Sequence, residues 1–183
     1  MSRFWKFARA GLLLGVLHAT GARATIVFST DFDSGLPPEF SAPGAGIESV
    51  QGFAGYGSAS IGDFTGSFLR YDDGQVLDTT LTLTNLPPHD HLALGFLLAV
   101  IDSWDGTELL EVSVDDALLF SNTFSLATAD ASSYDAPPEG LLESSRNFGF
   151  SSGSFYDRDR CYDMSREPAF AAIPHDADSV SIV

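Results

Sequence analysis

Residues 86–116 read LPPHDHLALGFLLAVIDSWDGTELLEVSVDD, and this stretch decides the fold. Between residues 92 and 101 every position is apolar or glycine. Successive side chains of a strand point to opposite faces. One face would carry Leu92, Leu94, Phe96, Leu98 and Val100. The other would carry Ala93, Gly95, Leu97, Ala99 and Ile101. Because both faces are apolar, we predict a strand inside a sheet that is covered on both sides.

A buried helix is the alternative for this run, because an unbroken apolar segment fits both structures. The pair of prolines before the run, Gly95 within it and the Asp-Gly turn after it favour a strand. Leu110, Val112 and Val114 then alternate with polar residues, which is typical of a half-buried strand. Asp115-Asp116 tolerates the backbone of a tight turn, so residues 118–124 are predicted to return as the second strand of a hairpin.

Composition supports an all-β protein. The chain has 183 residues, a length suited to one domain, with 44% hydrophobic residues, 15 Phe, 17 Gly and 9 Pro. Short apolar runs separated by turn residues are typical of sheets with many turns. Residues 179–183 are predicted to begin a final strand, whereas residues 127–147, rich in Ser, Ala and acids, are predicted to be a long exposed loop. The single cysteine, Cys161, has no partner for an internal disulfide.

Residues 1–24 have the order of features expected of an export signal. A basic start is followed by a mostly apolar stretch over residues 10–19, and Ala-Arg-Ala at residues 22–24 fits a small-x-small cleavage pattern. The apolar part is too short to span a membrane as a helix. We predict a signal peptide over residues 1–24 and a β-sandwich domain over residues 25–183. An amphipathic helix of the mature fold is the alternative for the leader.

Removing the predicted leader makes the charge more negative. It takes four of the nine basic residues and none of the 25 acidic ones, which leaves a net charge of −20. A field of this sign repels nucleic acid and anionic membranes and attracts cations. We therefore expect no nucleic-acid partner and no membrane insertion after signal cleavage. The alternative is that the charge only keeps a secreted protein soluble.

Acidic side chains cluster where the buried strand is predicted to end. Asp102, Asp105 and Glu108 lie within seven residues of one another. Calcium takes about six to eight oxygen ligands, so three carboxylates and nearby carbonyls could supply most of a shell. Asp31 and Asp33, two residues apart near the start of the mature chain, are further candidates. Calcium is thus the candidate cofactor, and turn formation by Asp102 and Asp105 is the alternative.

The Ile-Asp-Ser-Trp-Asp-Gly run at residues 101–106 is the most specific motif of the chain. It resembles a family of secreted bacterial β-sandwich domains that often carry a C-terminal surface-sorting signal. The likeness spans most of residues 26–183. Further motifs that contribute to it are Leu-Pro-Pro-His at residues 86–89, Val-Ser-Val-Asp at 112–115, Tyr-Asp-Met at 162–164 and Ile-Pro-His at 173–175.

This resemblance implies a fold similar to jelly-roll lectins and carbohydrate-binding modules, a secreted or cell-surface location, and an extracellular glycan as partner. Such modules often hold a structural calcium where the first and last strands meet. Members of the family continue through one more strand than is present here. The expected fold is therefore an antiparallel jelly-roll β-sandwich that lacks its last strand.

Two kinds of aromatic ring are candidates for binding. Trp104 lies between acids in a predicted loop, and an indole there could stack on a sugar ring, although such a ring more often packs on the edge of a sandwich. His89 and His91 could point the same way on a strand, as zinc ligands can. Zinc needs three or four converging ligands, however, and His175 is distant in sequence.

Catalysis finds little support in the sequence, because acids are plentiful but show no pairing and a His-Glu-x-x-His motif is absent. The sequence therefore predicts a non-catalytic extracellular or cell-surface binding module, calcium-stabilised and carbohydrate-binding. The alternatives are a polysaccharide-active hydrolase on a sandwich scaffold and a structural matrix protein.

Overall fold

Antiparallel β-sheets make up most of the protein, as the sequence predicts. The computed structural model describes residues 4–6, 13–17, 25–49, 54–64, 66–72, 78–101, 104–126, 132–146 and 159–183. At residues 4–6 and 13–17, and at positions 72, 105, 108 and 146, it describes the backbone alone. Within the described residues, no helix is long and apolar enough to cross a membrane.

The strands are numbered along the chain. They are β1 (Phe4–Lys6), β2 (Leu13–Leu17), β3 (Thr25–Phe28), β4 (Phe40–Ser41), β5 (Ala45–Ser49), β6 (Gly57–Ser58), β7 (Gly62–Asp63), β8 (Ser67–Asp72), β9 (Thr80–Thr84), β10 (His91–Gly95), β11 (Leu97–Val100), β12 (Asp105–Val114), β13 (Ala117–Ser125), β14 (Leu141–Arg146), β15 (Asp159–Asp163), β16 (Ile173–Pro174) and β17 (Ser179–Ile182). A 3₁₀ turn (Met164–Arg166) and a short helix, α1 (Pro168–Ala171), lie between β15 and β16.

These strands form sheets with the orders β13-β12-β17-β9-β4, β16-β10-β2-β3, β11-β15-β14, β1-β8-β5 and β6-β7. The main core consists of buried side chains of the five-stranded sheet packed against side chains of β10, β11 and β15. This is a sandwich-like packing of sheet on sheet. A second core lies on the opposite face of β11, where Phe64 and Phe68 cover it.

The apolar run at residues 92–101 is extended and largely buried, but it forms two strands and not the one that was predicted. β10 pairs with β2, whereas β11 pairs with β15, so the chain changes sheets at Phe96. The carbonyl of Phe96 accepts a hydrogen bond from Met164 N at 2.9 Å at this step. Gly95 lets Ile61 and Ser165 approach closely beside it, because a Cβ there would lie 2.9 Å from Ile61 Cδ1 and 3.0 Å from Ser165 Cβ.

The predicted division of this run into two faces is confirmed. Leu92, Leu94, Leu98 and Val100 lie in the main core, and Phe96 packs against it. Leu97, Ala99 and Ile101 lie in the second core. The alternation therefore continues across the change of sheet, and β11 is covered on both faces.

The predicted hairpin is also present, formed by β12 and β13. Asp115 and Asp116 have φ values of 47° and 65°, so both central residues of the turn are left-handed. This backbone matches the twist of two adjacent strands, and aspartate tolerates it better than most residues do.

β17 confirms the strand predicted at residues 179–183 and joins two parts of the five-stranded sheet. It pairs with β9 through four residues and with β12 at Val114. The backbone N and O of Val183 form hydrogen bonds with Ser113 at 3.0 and 2.8 Å. β17 therefore joins β9 and the β12–β13 hairpin in one sheet.

The exposed loop predicted over residues 127–147 is wrong in part. β14 pairs with β15. Tyr134 is buried in the main core, where its ring packs against Phe120 and Phe124. One aromatic ring among polar residues is a weak pattern, and its burial depends on partners elsewhere in the chain. Residues 127–131 and 147 lie outside the described part.

Replacing Phe124 by Ala is expected to lower the free energy of unfolding by about 3–5 kcal/mol, because the ring is 1% exposed and packs against Trp104, Tyr134 and Tyr162. Urea unfolding monitored by fluorescence measures the change. Leu118→Ala is the control, since that side chain is 58% exposed and should cost no more than about 0.5 kcal/mol. Equal losses in the two variants would contradict this packing.

Cys161 is expected to be unreactive in the folded protein. Its side chain is fully buried in the second core, and burial raises the pKa of the thiol to about 12. The reactive thiolate is thus suppressed at neutral pH. A colorimetric disulfide reagent should label it stoichiometrically in guanidinium chloride but not in buffer at pH 8. Rapid labelling of the native protein would show that the thiol is accessible.

Candidate functional site

An open groove with a volume of about 760 Å³ lies beside the end of β3. One wall is formed by the segment after β3, and the other by the turn between β6 and β7. The lining residues are Ile26, Ser29, Thr30, Asp31, Ser34, Gly35, Leu36, Pro37, Pro38, Ala59, Ser60, Ile61 and Gly62.

Side chains of the first wall fix its own backbone. Thr30 Oγ1 accepts a hydrogen bond from Phe32 N at 3.1 Å, and Asp31 Oδ1 accepts one from Asp33 N at 3.0 Å. Such short-range bonds favour turns over continued strand, which explains why β3 ends at Phe28. Gly35, with a φ of 94°, then donates its N–H to the carbonyl of Phe32 at 3.0 Å.

Phe32 anchors this wall to the body of the protein. Its backbone is left-handed, with a φ of 57°, which is uncommon for an aromatic residue. The side chain is buried with Leu69 and Tyr71 of β8, and its ring meets Phe40 edge-on at 5.6 Å. These apolar contacts offset the backbone strain and hold the loop in one conformation.

Asp33 connects the same loop to the start of β8. Its Oδ1 accepts a hydrogen bond from Ser67 N at 2.7 Å. A Cβ on Gly66 would collide with this carboxylate, and the φ of 59° also favours glycine there. The groove wall is therefore held by a long-range contact in addition to its own turn.

The second wall rests on buried polar groups. Ser60 Oγ lies 2.8 Å from Ser58 Oγ, 3.3 Å from Ser165 Oγ and 3.4 Å from Asp163 Oδ2. Asp163 is fully buried at the end of β15, and its Oδ1 accepts hydrogen bonds from the backbone and hydroxyl of Ser165. This network fixes the position of the Ser60 hydroxyl at the edge of the groove.

The groove is amphipathic. Ile26 and Leu36 are 58% and 41% exposed, which is unusual for large aliphatic side chains. Next to them lie the hydroxyls of Ser29, Thr30 and Ser34 and the exposed carboxylate of Asp31. Such a surface can take a ligand that has an apolar face and a hydroxylated edge.

The acids singled out in the sequence are only partly described. Asp31 lines the groove, and Asp33 follows two residues later in the same loop, where its Oδ1 accepts from Ser67 N. Asp102 lies outside the described residues. Asp105 and Glu108 lie in β12, where the structure gives their backbone but not their side chains. Among the side chains that are described, no group of three or more His, Cys, Asp and Glu is arranged to hold a metal ion.

Trp104 lies in the main core and not in the groove. It is 1% exposed, and its ring meets Phe124 edge-on at 5.8 Å with an angle of 86°. This corresponds to the packing alternative for this residue. A role for Trp104 as a sugar platform stays a prediction, and it would require the ring to leave the core.

The histidines pair differently from the expected His89–His91 arrangement. His91 Nδ1 lies 2.9 Å from Asp90 Oδ1, whereas His89 Nε2 lies 2.7 Å from His175 Nδ1. No spacing in the sequence reveals this contact, because 86 residues separate the two rings. It results from the pairing of β10 with β16, in which His91 lies opposite Pro174.

The sequence also contains Gly-Phe-Ser-Ser-Gly at residues 149–153, which has the Gly-x-Ser-x-Gly spacing of a nucleophile elbow. Such an elbow needs a strand-to-helix turn in an α/β sheet. These residues lie outside the described part, and the described part consists mainly of antiparallel β-sheets. The motif therefore carries no catalytic assignment.

Comparison of the chain with models of known protein families gave no match, and neither the curated proteins nor the solved structures contained a significant one.

Proposed function

We propose that this protein is a non-catalytic extracellular or cell-surface module, with a jelly-roll-like sandwich fold, that binds a glycan in the groove beside Asp31. The observation that carries the proposal is the amphipathic lining of that groove. Exposed Leu36 and Ile26 lie next to the hydroxyls of Ser29 and Thr30 and to the Asp31 carboxylate.

A sugar ring has the surfaces that such a groove would recognise. Its C–H face can cover the aliphatic side chains, and its hydroxyls can donate to the carboxylate and exchange hydrogen bonds with the serine and threonine hydroxyls. The net charge of −16 for the whole chain disfavours anionic polymers, so the ligand we propose is neutral or cationic.

The groove wall is held in place by hydrogen bonds and packing, which favours a role in ligand binding over a role in catalysis. The loop at residues 29–35 is held by its own side chains, by Phe32 and by the contact of Asp33 with Ser67. Such pre-organisation reduces the entropy lost on binding. Among the described residues that line the groove, Asp31 supplies one carboxylate, whereas hydrolysis of a glycosidic bond generally uses two.

Calcium, in this proposal, stabilises the loops and takes no part in ligand chemistry. The proposed ligands are Asp31, Asp33, Asp102, Asp105 and Glu108, which offer the oxygen atoms that calcium prefers. The excess of 25 acidic over nine basic residues raises the local concentration of cations.

Replacing Leu36 by Ser is expected to weaken glycan binding about 3- to 10-fold, because it removes apolar surface under the sugar ring. A glycan array identifies the best ligand, and titration calorimetry with that glycan measures the affinity. The matched control is Leu118→Ser, which alters another exposed leucine, in the β12–β13 hairpin, outside the groove. Equal affinities for the two variants would place the ligand elsewhere, and an array without any bound glycan would refute the proposed ligand class.

Calcium at about 100 times its dissociation constant is expected to raise the thermal midpoint by roughly 5–10 °C over the chelated protein. Asp33→Asn should abolish most of this rise yet leave the chelated midpoint nearly unchanged, since asparagine keeps the oxygen that accepts from Ser67 N. Asp116→Asn, at an exposed turn with positive φ, is the control and should keep the full rise. A thermal midpoint that does not change with calcium would refute the proposed calcium site.

A further inference from the structure

Two histidine rings, His89 and His175, meet where three segments of the chain converge. His89 precedes β10, His175 follows β16, and Asp115 begins the turn of the β12–β13 hairpin. His89 is 9% exposed, and the side chain of His175 is 5% exposed. This histidine pair lies outside the groove, between the sheet of β10 and β16 and the five-stranded sheet.

The two rings are joined by a single N–H···N hydrogen bond. His89 Nε2 and His175 Nδ1 are 2.7 Å apart, the ring planes differ by 14°, and the ring centroids are 4.9 Å apart. The two nitrogens therefore lie close to the line between the centroids, and the N–H of one ring is directed at the lone pair of the other. One proton fits between them, whereas two N–H groups at this distance would repel each other.

The carbonyl of Pro87 determines which ring donates this hydrogen bond. His89 Nδ1 lies 2.7 Å from the carbonyl oxygen, which can only accept, so His89 carries its proton on Nδ1. In the neutral ring the other nitrogen, Nε2, then has a lone pair. His175 Nδ1 is therefore the donor, and His89 Nε2 is the acceptor.

Asp115 favours a second proton on the His175 ring. Its Oδ2 lies 3.0 Å from His175 Nε2 but off the direction of an N–H there, so the contact is an ion pair more than an aligned hydrogen bond. A lone pair on this nitrogen would face the carboxylate, whereas an N–H is attracted to it. The histidine pair thus holds three protons, one on His89 and two on His175, and one positive charge.

We propose that the histidine pair is a proton-sensitive contact between the two sheets, which is closed while one ring is charged and open when both are. A fourth proton has no place in the closed arrangement. On His89 Nε2 it would point at the N–H of His175, and two positive rings would lie side by side in a buried site. Histidine side chains typically gain their charge roughly between pH 5 and 8, so moderate acid supplies this proton.

The other titratable groups around the pair are carboxylates and one partly exposed ring. Asp90 directs its carboxylate to His91 Nδ1 at 2.9 Å, and its carbonyl accepts from His175 N at 3.1 Å. β2, β16 and β17 carry no titratable side chain. The remaining described carboxylates on the adjoining turn and segment are exposed, and they are those of Asp116, Asp176 and Asp178.

Opening of the contact would release the hairpin turn and loosen β17. Ser181 N donates to Asp115 Oδ1 at 2.9 Å, and Asp115 N donates to Ser181 O at 2.9 Å. The side chain that faces His175 is therefore the same one that fixes the end of β17 to the hairpin. Protonation of the pair is in this way coupled to the junction between β17 and β12.

The proton count gives the sign of the pH effect. Below about pH 6.5 both histidines of an unfolded chain are charged, so the unfolded state holds one proton more than the folded pair. Stability falls with falling pH wherever the unfolded state binds more protons, and one proton corresponds to about a tenfold change in the unfolding constant per pH unit. We expect the pair to raise the unfolding constant about tenfold from pH 6.5 to pH 5.

Urea unfolding of the chelator-treated full chain measures this change between about pH 6.5 and 5, above the range near pH 4 in which carboxyl groups of an unfolded chain titrate. His89→Gln and His175→Gln should each remove the tenfold change, because glutamine can form a hydrogen bond with the remaining ring but takes up no proton. His91→Gln is the control. Its side chain is 41% exposed and faces Asp90, so this variant should keep the change.

A second measurement needs no variant. In nitrogen-15-labelled protein at neutral pH, scalar coupling between His89 Nε2 and His175 Nδ1 should report the hydrogen bond directly. On acidification the coupling should disappear, and the amides of Asp115 and Ser181 should exchange faster with solvent. Absence of coupling at neutral pH, equal pH dependence in the unsubstituted chain and both ring variants, or loss of the pH dependence in His91→Gln would each overturn the proposal. None of these outcomes depends on the groove or on calcium.

Discussion

Apolar contact on both faces of β11 is the constraint on which the rest of the structure depends. Leu98 and Val100 face the main core, whereas Leu97 and Ala99 face the second core. The neighbouring strand, β15, repeats this division, because Tyr162 and Cys161 lie in the main and second core, respectively. β15 ends at Asp163. The same packing therefore fixes the position of the buried Asp163 carboxylate, which supports Ser60 at the groove.

The sequence predicts what depends on local pattern. Alternation along residues 92–101 indicates the two buried faces, and Asp115-Asp116 indicates the turn of the hairpin. The break at Phe96 has no local signal, because it arises where the chain exchanges β2 for β15 as its partner. The burial of Tyr134 follows the same rule, since the rings that surround it come from β13 and β15.

The candidate sites differ in how far the sequence predicts them. Asp31 and Asp33 are recognisable because both lie in one short loop. The groove itself is not, since its second wall comes from the β6–β7 turn and is supported by Asp163, about 100 residues farther along the chain. The histidine pair is hidden for a similar reason. His89 and His175 are brought together by the register between β10 and β16. No spacing within a sequence motif indicates this contact.

The place of β17 in the sheet also bears on how the protein folds during synthesis. Domains generally acquire structure from the N-terminus as the ribosome releases them. Here the strand that joins β9 to the β12–β13 hairpin is made after both of its partners in the sheet. Until residues 179–182 have left the exit tunnel, β9 and β12 have unpaired backbone groups along the edges that β17 later occupies, and such edges invite association with other chains. The nascent protein is therefore more exposed to edge-to-edge association before this strand is made than after it.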